Sequence, residues 1–185
     1  MNNSIKHQKS IVGIDLGDRK HAICAIDQEG KELSEHFIRN RRDDLEQLSR
    51  DYPGALIALE VGTHSPWISR LLESLGHKVI VANSRKLRAI YTNERKSDEQ
   101  DARMLAKLAR VDPELLHPVK HGSEQAQQDL VLIKLRDTLV RQRVDIVTSI
   151  RFTLKSLGIR LKSPNSAAFA NYARKALCEH PEILS

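Results

Sequence analysis

Aromatic side chains are scarce: one Trp, three Tyr and three Phe among 185 residues. A surface that holds single strands mainly by stacking bases on aromatic rings is therefore not expected. Cysteine is scarcer still. Cys24 and Cys178 stand far apart and fit no C-x-x-C spacing. That excludes a disulfide-stapled fold and a cysteine zinc site, and it suits a reducing compartment. No apolar run approaches the ~18 residues of a membrane span. The polar segment from Met1 to Ser10 also lacks the apolar stretch of a signal peptide. The expectation is a cytoplasmic chain with no membrane partner. Apolar residues at 40% and charged residues at 29% are enough to bury a core, so the chain is not a disordered tail. Its length leaves room for one compact domain plus an appendage.

The formal net charge is +6, and it is unevenly spread. Residues 1–118 are almost balanced, with 19 basic and 18 acidic side chains, whereas residues 119–163 hold nine basic and four acidic ones. Lys134, Arg141, Arg143 and Arg151 belong to this second stretch. A smaller basic group, Arg85, Lys86, Arg88, Arg95 and Lys96, stands against Glu94 alone. Local basic surface is what a polyphosphate partner needs. The plainer reading of both stretches is a solvated helix face.

Hydrophobic periodicity orders the elements. Ile11 to Leu16, His21 to Asp27 and Glu32 to Ile38 read as three strands, with turn residues Asp27-Gln-Glu-Gly30 between the last two. A polar helix follows over 43–51. Ala55-Leu-Ile-Ala-Leu-Glu60 is a continuous apolar run, as in a strand buried on both faces. Ser65-Pro66 reads as a helix cap followed by a first-turn proline, with the stop at Gly76. Lys78 to Ala82 is a further strand. Helices are expected over about 84–91, 98–110 and 166–178. From Ser123 to Leu157 there is neither Pro nor Gly. Leu132, Leu135, Leu139, Ile146, Ile150, Leu154 and Leu157 mostly keep three-four spacing there, which is a seam for another helix. The order implies an α/β fold with a mixed five-stranded sheet flanked by helices, followed by a long, coiled-coil-like helical segment. That matches the ribonuclease-H-like layout, although the same order could be folded in other ways.

Four carboxylates stand out. Asp15 lies in an apolar strand, where an ionised group is costly unless paired or bound to a metal. Glu60 ends a strand that reads as buried, and such ends open onto the crevice where α/β proteins hold their sites. Ser97 followed by Gln100 has capping-box form, which makes Asp98 the first helical residue. At 100° per residue, Asp98, Asp101, Leu105 and Leu108 share one ~80° stripe, so both aspartates face the core. Each acid has a plainer reading: a backbone-bonded buried aspartate, the start of a loop, or complements to the helix dipole. As a set they can converge, and four crowded acids require cations. Hard divalent ions with oxygen ligands are the natural partner. Two such ions ~3.5–4 Å apart would clamp the attacking and leaving oxygens of a phosphoryl transfer.

Gly13-Ile-Asp-Leu-Gly17, Ala58-Leu-Glu-Val-Gly62, Gly76-His-Lys-Val-Ile-Val-Ala-Asn83 and Lys96-Ser-Asp-Glu-Gln-Asp-Ala-Arg103 come in order. Together, over roughly residues 11–157, they resemble the N-terminal domain of the insertion-sequence 110 family of transposases, the DEDD, RuvC-like recombinases. The resemblance implies that Asp15, Glu60, Asp98 and Asp101 are catalytic and hold magnesium, as two ions, with manganese able to substitute. It implies cutting and rejoining of DNA during transposition in a prokaryotic cell, guided by a structured RNA. It gives the basic helical segment two candidate partners, DNA and RNA. The apolar spacing over 123–157 separately suits pairing with a second copy of the chain. The resemblance divides the chain into a polar tail (1–10), a RuvC-like domain (11–118), a basic helical segment (119–162) and a short C-terminal helix (163–185). Two departures are mild: Ser97 where Thr is commoner and Ser84 where Pro is usual. The larger one is length, because the sequence stops before the family's C-terminal serine domain. A truncated copy, a split reading frame or a fragment is expected.

Other residues are less specific. Lys20 could face a scissile phosphate or be a solvated turn lysine. His64 could polarise a phosphate or a water, or simply cap a helix. Trp67 reads as a core anchor. Arg85, Lys86, Arg88, Arg95 and Lys96 would position nucleic acid without reading its sequence. Two other functions remain open. One is a non-catalytic binding or dimerisation module. The other, more remote, is an actin- or sugar-kinase-type phosphotransferase. That class needs a second phosphate-binding glycine-rich strand, and no Asp-x-Gly-Gly segment exists here.

Overall fold

The computed structural model describes residues 10–83, 85–86, 97–162, 168–178 and 180–184. The chain divides into two compact units, Met1–His121 and Gly122–Ser185.

The first unit opens with a meander of β1 (Ile11–Asp15), β2 (Lys20–Ile26) and β3 (Glu32–Arg39). The β2–β3 turn closes because Asp27 accepts from the Lys31 amide at 2.8 Å and because Gly30 takes φ +86°, which favours glycine. Then come α1 (Arg42–Asp51), β4 (Leu56–Glu60), α2 (Ser65–Ser74), β5 (Lys78–Ala82), α3 (Asp98–Val111) and a short 3-10 turn (Pro113–Leu116). The sheet order is β3-β2-β1-β4-β5. The meander pairs are antiparallel, whereas β4 is parallel to β1 and β5 parallel to β4. The outer edge of β5 is met by the following segment, where the Val119 amide donates to Val81 O at 2.8 Å.

Successive side chains of a strand point to opposite faces, and the two faces of the sheet are filled differently. Ile11, Ala22, Cys24, Ile26, Ala58, Ile80 and Ala82 pack beneath Ala102, Leu105, Ala106 and Ala109 of α3. On the other face Val12, Ile14, Ile23, Ala25, Ile57 and Leu59 pack with Leu45 and Leu48 of α1 and Ile68, Leu71 and Leu72 of α2.

Two local expectations are corrected. Ser65 does not cap α2: its hydroxyl donates to Gly62 O and accepts from the Gly62 amide, and His64 occupies the cap position. Trp67 is not a core anchor but is 37% exposed. The buried face of α2 runs through Ser65, Ile68, Ser69 and Leu72, and Trp67 falls on the other side. Of the helix expected over about 84–91, only Arg85 and Lys86 are described, and both are helical.

The second unit is built on α4 (Glu124–Lys155), with α5 (Phe169–Ala176) and α6 (Pro181–Leu184) after it. Ser123 caps α4, accepting from the Ala126 amide at 3.2 Å. Of the expected seam, Leu154 is buried, whereas Leu132 and Leu139 are 66% and 67% exposed. Phe169, Ala173 and Leu177 line one groove with Leu139, Ile146 and Ile150. The short α5 therefore reaches the C-terminal half of α4 and leaves Leu130 to Ile133 exposed. Among the described residues no helix is long and apolar enough to cross a membrane.

Candidate nucleic-acid-processing site

The parallel register sets the first pair of acids. Gly13 lies opposite Ala58 and Ile14 opposite Leu59. One step further, Asp15 and Glu60 stand side by side at the C-terminal ends of β1 and β4. Alternation sends both to the face of Ile11, Ala58 and α3, away from Ile14 and Leu59. The second pair comes from α3, which runs antiparallel to β1. Gly13 lies against Ala102 and Ala106, whereas Ile11, at the other end of β1, shares a cavity lining with Ala109 and Arg110. The N-terminal turn of α3 is thus directed to the strand ends that carry Asp15 and Glu60. Ser97 caps that turn by accepting from the Gln100 amide at 3.3 Å, so Asp98 is the first helical residue.

Asp15, Glu60 and Asp101 are half-buried and Asp98 is exposed. All four are hard oxygen donors, which fits a magnesium-type cation in kind. Among the described residues, however, no three His, Cys, Asp or Glu side chains are gathered as a ready metal-binding group. The register and the packing of α3 direct the four backbone positions to one end of one face.

The loops beyond these strand ends are tied to one another. Asp18, after β1, lies 3.4 Å from Nε2 of His64, after β4. The Trp67 indole N–H donates to His64 Nδ1 at 3.5 Å. Asn40, after β3, donates from its side chain to Asp18 O at 3.0 Å. Lys20 starts β2 on the same face as Ala22, and its ammonium stands 3.7 Å over the Phe37 ring.

Arg85 and Lys86 are exposed; the Arg85 amide donates to Asn83 Oδ1 at 3.2 Å. Arg88, Arg95 and Lys96 lie outside the described residues. Lys134, Arg141 and Arg143 project from α4 into solvent. Arg151 is half-buried, and its guanidinium stacks 5.3 Å from the Phe169 ring.

The sequence reading missed Arg103. Its Nη2 donates to Glu35 and its Nε lies 3.3 Å from Glu32 Oε2, both on β3. The hydrogen bond to Glu35, and then the charges of Glu35 and Glu32, hold its proton more tightly than usual. Burial pushes the neighbouring Cys24 thiol up, and the same two glutamates add to that shift. The signal available in the sequence was an arginine two residues beyond Asp101, but its partners are 68 and 71 positions away.

A mixed sheet of order β3-β2-β1-β4-β5, with acids at its strand ends and an acid pair on the covering helix, defines a ribonuclease-H-like domain. The chain belongs to the DEDD transposases of the insertion-sequence 110 family, whose model, described as a transposase, matches residues 12–159. It is 28% identical over 154 residues to the transposase for insertion sequence element IS1328 of Yersinia enterocolitica, covering 82% of this chain and 44% of that one. It is 24% identical over 153 residues to the transposase for insertion sequence element IS1111A of Coxiella burnetii, covering 82% of this chain and 40% of the relative. The chain thus spans less than half the length of these curated relatives. The Thermus thermophilus RuvC structure covers 55% of this chain and 96% of its own, at 14% identity and a TM-score of 0.40. The fold assignment rests on the strand order and not on that likeness.

Proposed function

We propose that this chain is the acid-bearing domain of a DNA transposase, which binds DNA and takes part in metal-dependent cutting and rejoining of its strands. The observation that carries this reading is the side-by-side position of Asp15 and Glu60 on the face covered by α3, in a chain of a transposase family. Asp15, Glu60, Asp98 and Asp101 would hold magnesium, as two ions, or manganese in its stead. Bound there, the metal would polarise a phosphodiester and stabilise charge on the leaving oxygen.

The remaining roles belong to the chain's own cations. Lys20 and the group Arg85, Lys86, Arg88, Arg95 and Lys96 hold backbone phosphates at the site and carry no sequence information. Lys134, Arg141, Arg143 and Arg151 supply the second basic stretch, for DNA or for a structured guide RNA. The exposed apolar residues of α4 pair with a second copy of the chain. The work is done in the cytoplasm of a prokaryotic cell.

A second reading has its own observation. Because no three acids are gathered among the described residues, the chain could instead bind and dimerise without cutting. Magnesium and manganese titration by calorimetry separates the two, on the purified chain beside Asp15→Asn and Asp101→Asn variants that remain folded. Saturable binding that both variants lose supports the metal centre. No binding, either alone or with a DNA duplex present, together with salt-dependent DNA binding, favours the module.

A further inference from the structure

Two arginines leave α3 on the same side, seven residues apart, and both reach the β2–β3 hairpin. Arg103 forks onto Glu32 and Glu35 of β3. Arg110 donates to the Gln28 carbonyl at 3.2 Å, in the hairpin turn. A Cβ on Gly30 would meet the Arg110 Nε at 2.9 Å, so the turn glycine leaves room for this second anchor. Beneath the helix the contact is otherwise small and smooth: Ala102, Ala106 and Ala109, with Leu105, over Gly13 and Ala58. Such a face, small but for Leu105, sets how close α3 lies, and the two arginines add a lateral constraint on its rotation.

Rotation is the motion that matters for Asp98 and Asp101. At a side-chain radius of about 6 Å, a turn of about 20° carries a carboxylate by about 2 Å. A site that must hold its groups to within about 0.5 Å does not tolerate that. Arg103 sits half a helix turn beyond Asp101 and grips β3 with one hydrogen bond to Glu35 and an ion pair to Glu32. The grip is partly buried, so water and salt screen it less than a surface pair.

We propose that Arg103, through Glu35 and Glu32, is the positioning residue that fixes the rotation of α3 and so aims Asp98 and Asp101 at Asp15 and Glu60, with Arg110 as a distal anchor. The inference rests on the metal-site reading above. It assigns no contact between Arg103 and any substrate.

The test compares Arg103→Gln, Arg103→Lys and Arg110→Gln in the whole chain, with two readouts. One is amide hydrogen exchange along α3, which needs no metal. The other is manganese affinity by calorimetry, repeated with a DNA duplex. Arg103→Gln is expected to speed exchange in the 99–106 amides and to weaken manganese binding by about tenfold or more, as loss of an orienting outer-shell partner does. Arg103→Lys, which keeps one ion pair, recovers part of both. Arg110→Gln speeds exchange only in the last turns and leaves affinity within about twofold. A merely structural arginine would lower the melting temperature without moving affinity, and that outcome overturns the proposal. So does unchanged exchange at 99–106 in Arg103→Gln. If the wild-type chain binds no manganese even with DNA, the metal-site reading fails on its own, and the exchange data still decide whether Arg103 holds the helix.

Discussion

Gly13 of β1 and Ala102 of α3 meet backbone to backbone. A Cβ on Gly13 would overlap the Ala102 carbonyl oxygen and lie 2.7 Å from the Ala106 amide nitrogen. The helix that carries Asp98 and Asp101 owes its closeness to the sheet to this one missing methyl.

Gly13→Ala is therefore expected to cost roughly 1–3 kcal/mol or more, because both obstructing groups are backbone and cannot rotate aside. Urea unfolding measures the loss. Gly62→Ala is the control, since no atom stands within 4 Å of its added Cβ; its effect should stay within about 0.5 kcal/mol. Equal stability in the two variants would remove the close approach as the reason for Gly13.

His21 gives the chain a pH dependence. Burial on the α1–α2 side pushes its pKa below the usual value; the Asn40 side chain opposes this and His64 adds to it. The unfolded histidine, near ~6.5, binds a proton that the folded one resists. Stability from this source is complete above about pH 6.5 and is lost as the pH falls toward the depressed folded value. His121 shifts the same way, through burial and Arg70, against Glu73. Urea midpoints from about pH 7.5 down to about pH 5 should fall in the wild type and fall less in His21→Leu, with His121 accounting for the remainder. An unchanged slope in His21→Leu would refute the assignment.

The two cysteines should differ in reactivity. Cys24 is buried and Cys178 exposed. The Cys24 thiol is held up by burial and by Glu32 and Glu35, and it is the thiolate that reacts. An aromatic disulfide reagent at neutral pH is expected to label Cys178 alone in the folded chain and both residues in denaturant. Rapid labelling of Cys24 in a folded Cys178→Ser variant would show that the α3–β3 contact opens.

Much of the fold was legible in local chemistry. Ser97 and Ser123 cap their helices where the sequence puts a hydroxyl immediately before the helical pattern. Gly76 and Gly158 take positive φ where the helical patterns stop. Period-two alternation already set Asp15 on the face opposite Ile14, and Glu60 opposite Leu59. These features depend on residues within a turn or two of each other, so the sequence determines them by itself. Trp67 was misread because helical spacing does not say which side of α2 meets the sheet, and Ser65 because the cap falls one residue earlier, at His64.

The long-range features were decided by the tertiary structure. The order β3-β2-β1-β4-β5 makes Asp15 and Glu60 neighbours although they are 45 residues apart. The packing of α3 onto Gly13 directs Asp98 and Asp101 to the same strand ends. The fork of Arg103 onto Glu32 and Glu35 exists only once the hairpin and the helix share one face. Each is a contact between segments whose separate sequences carry no record of the other. The free energy that selects them comes from strand pairing and from burial of both faces of the sheet against the helices, and that is a property of the folded chain.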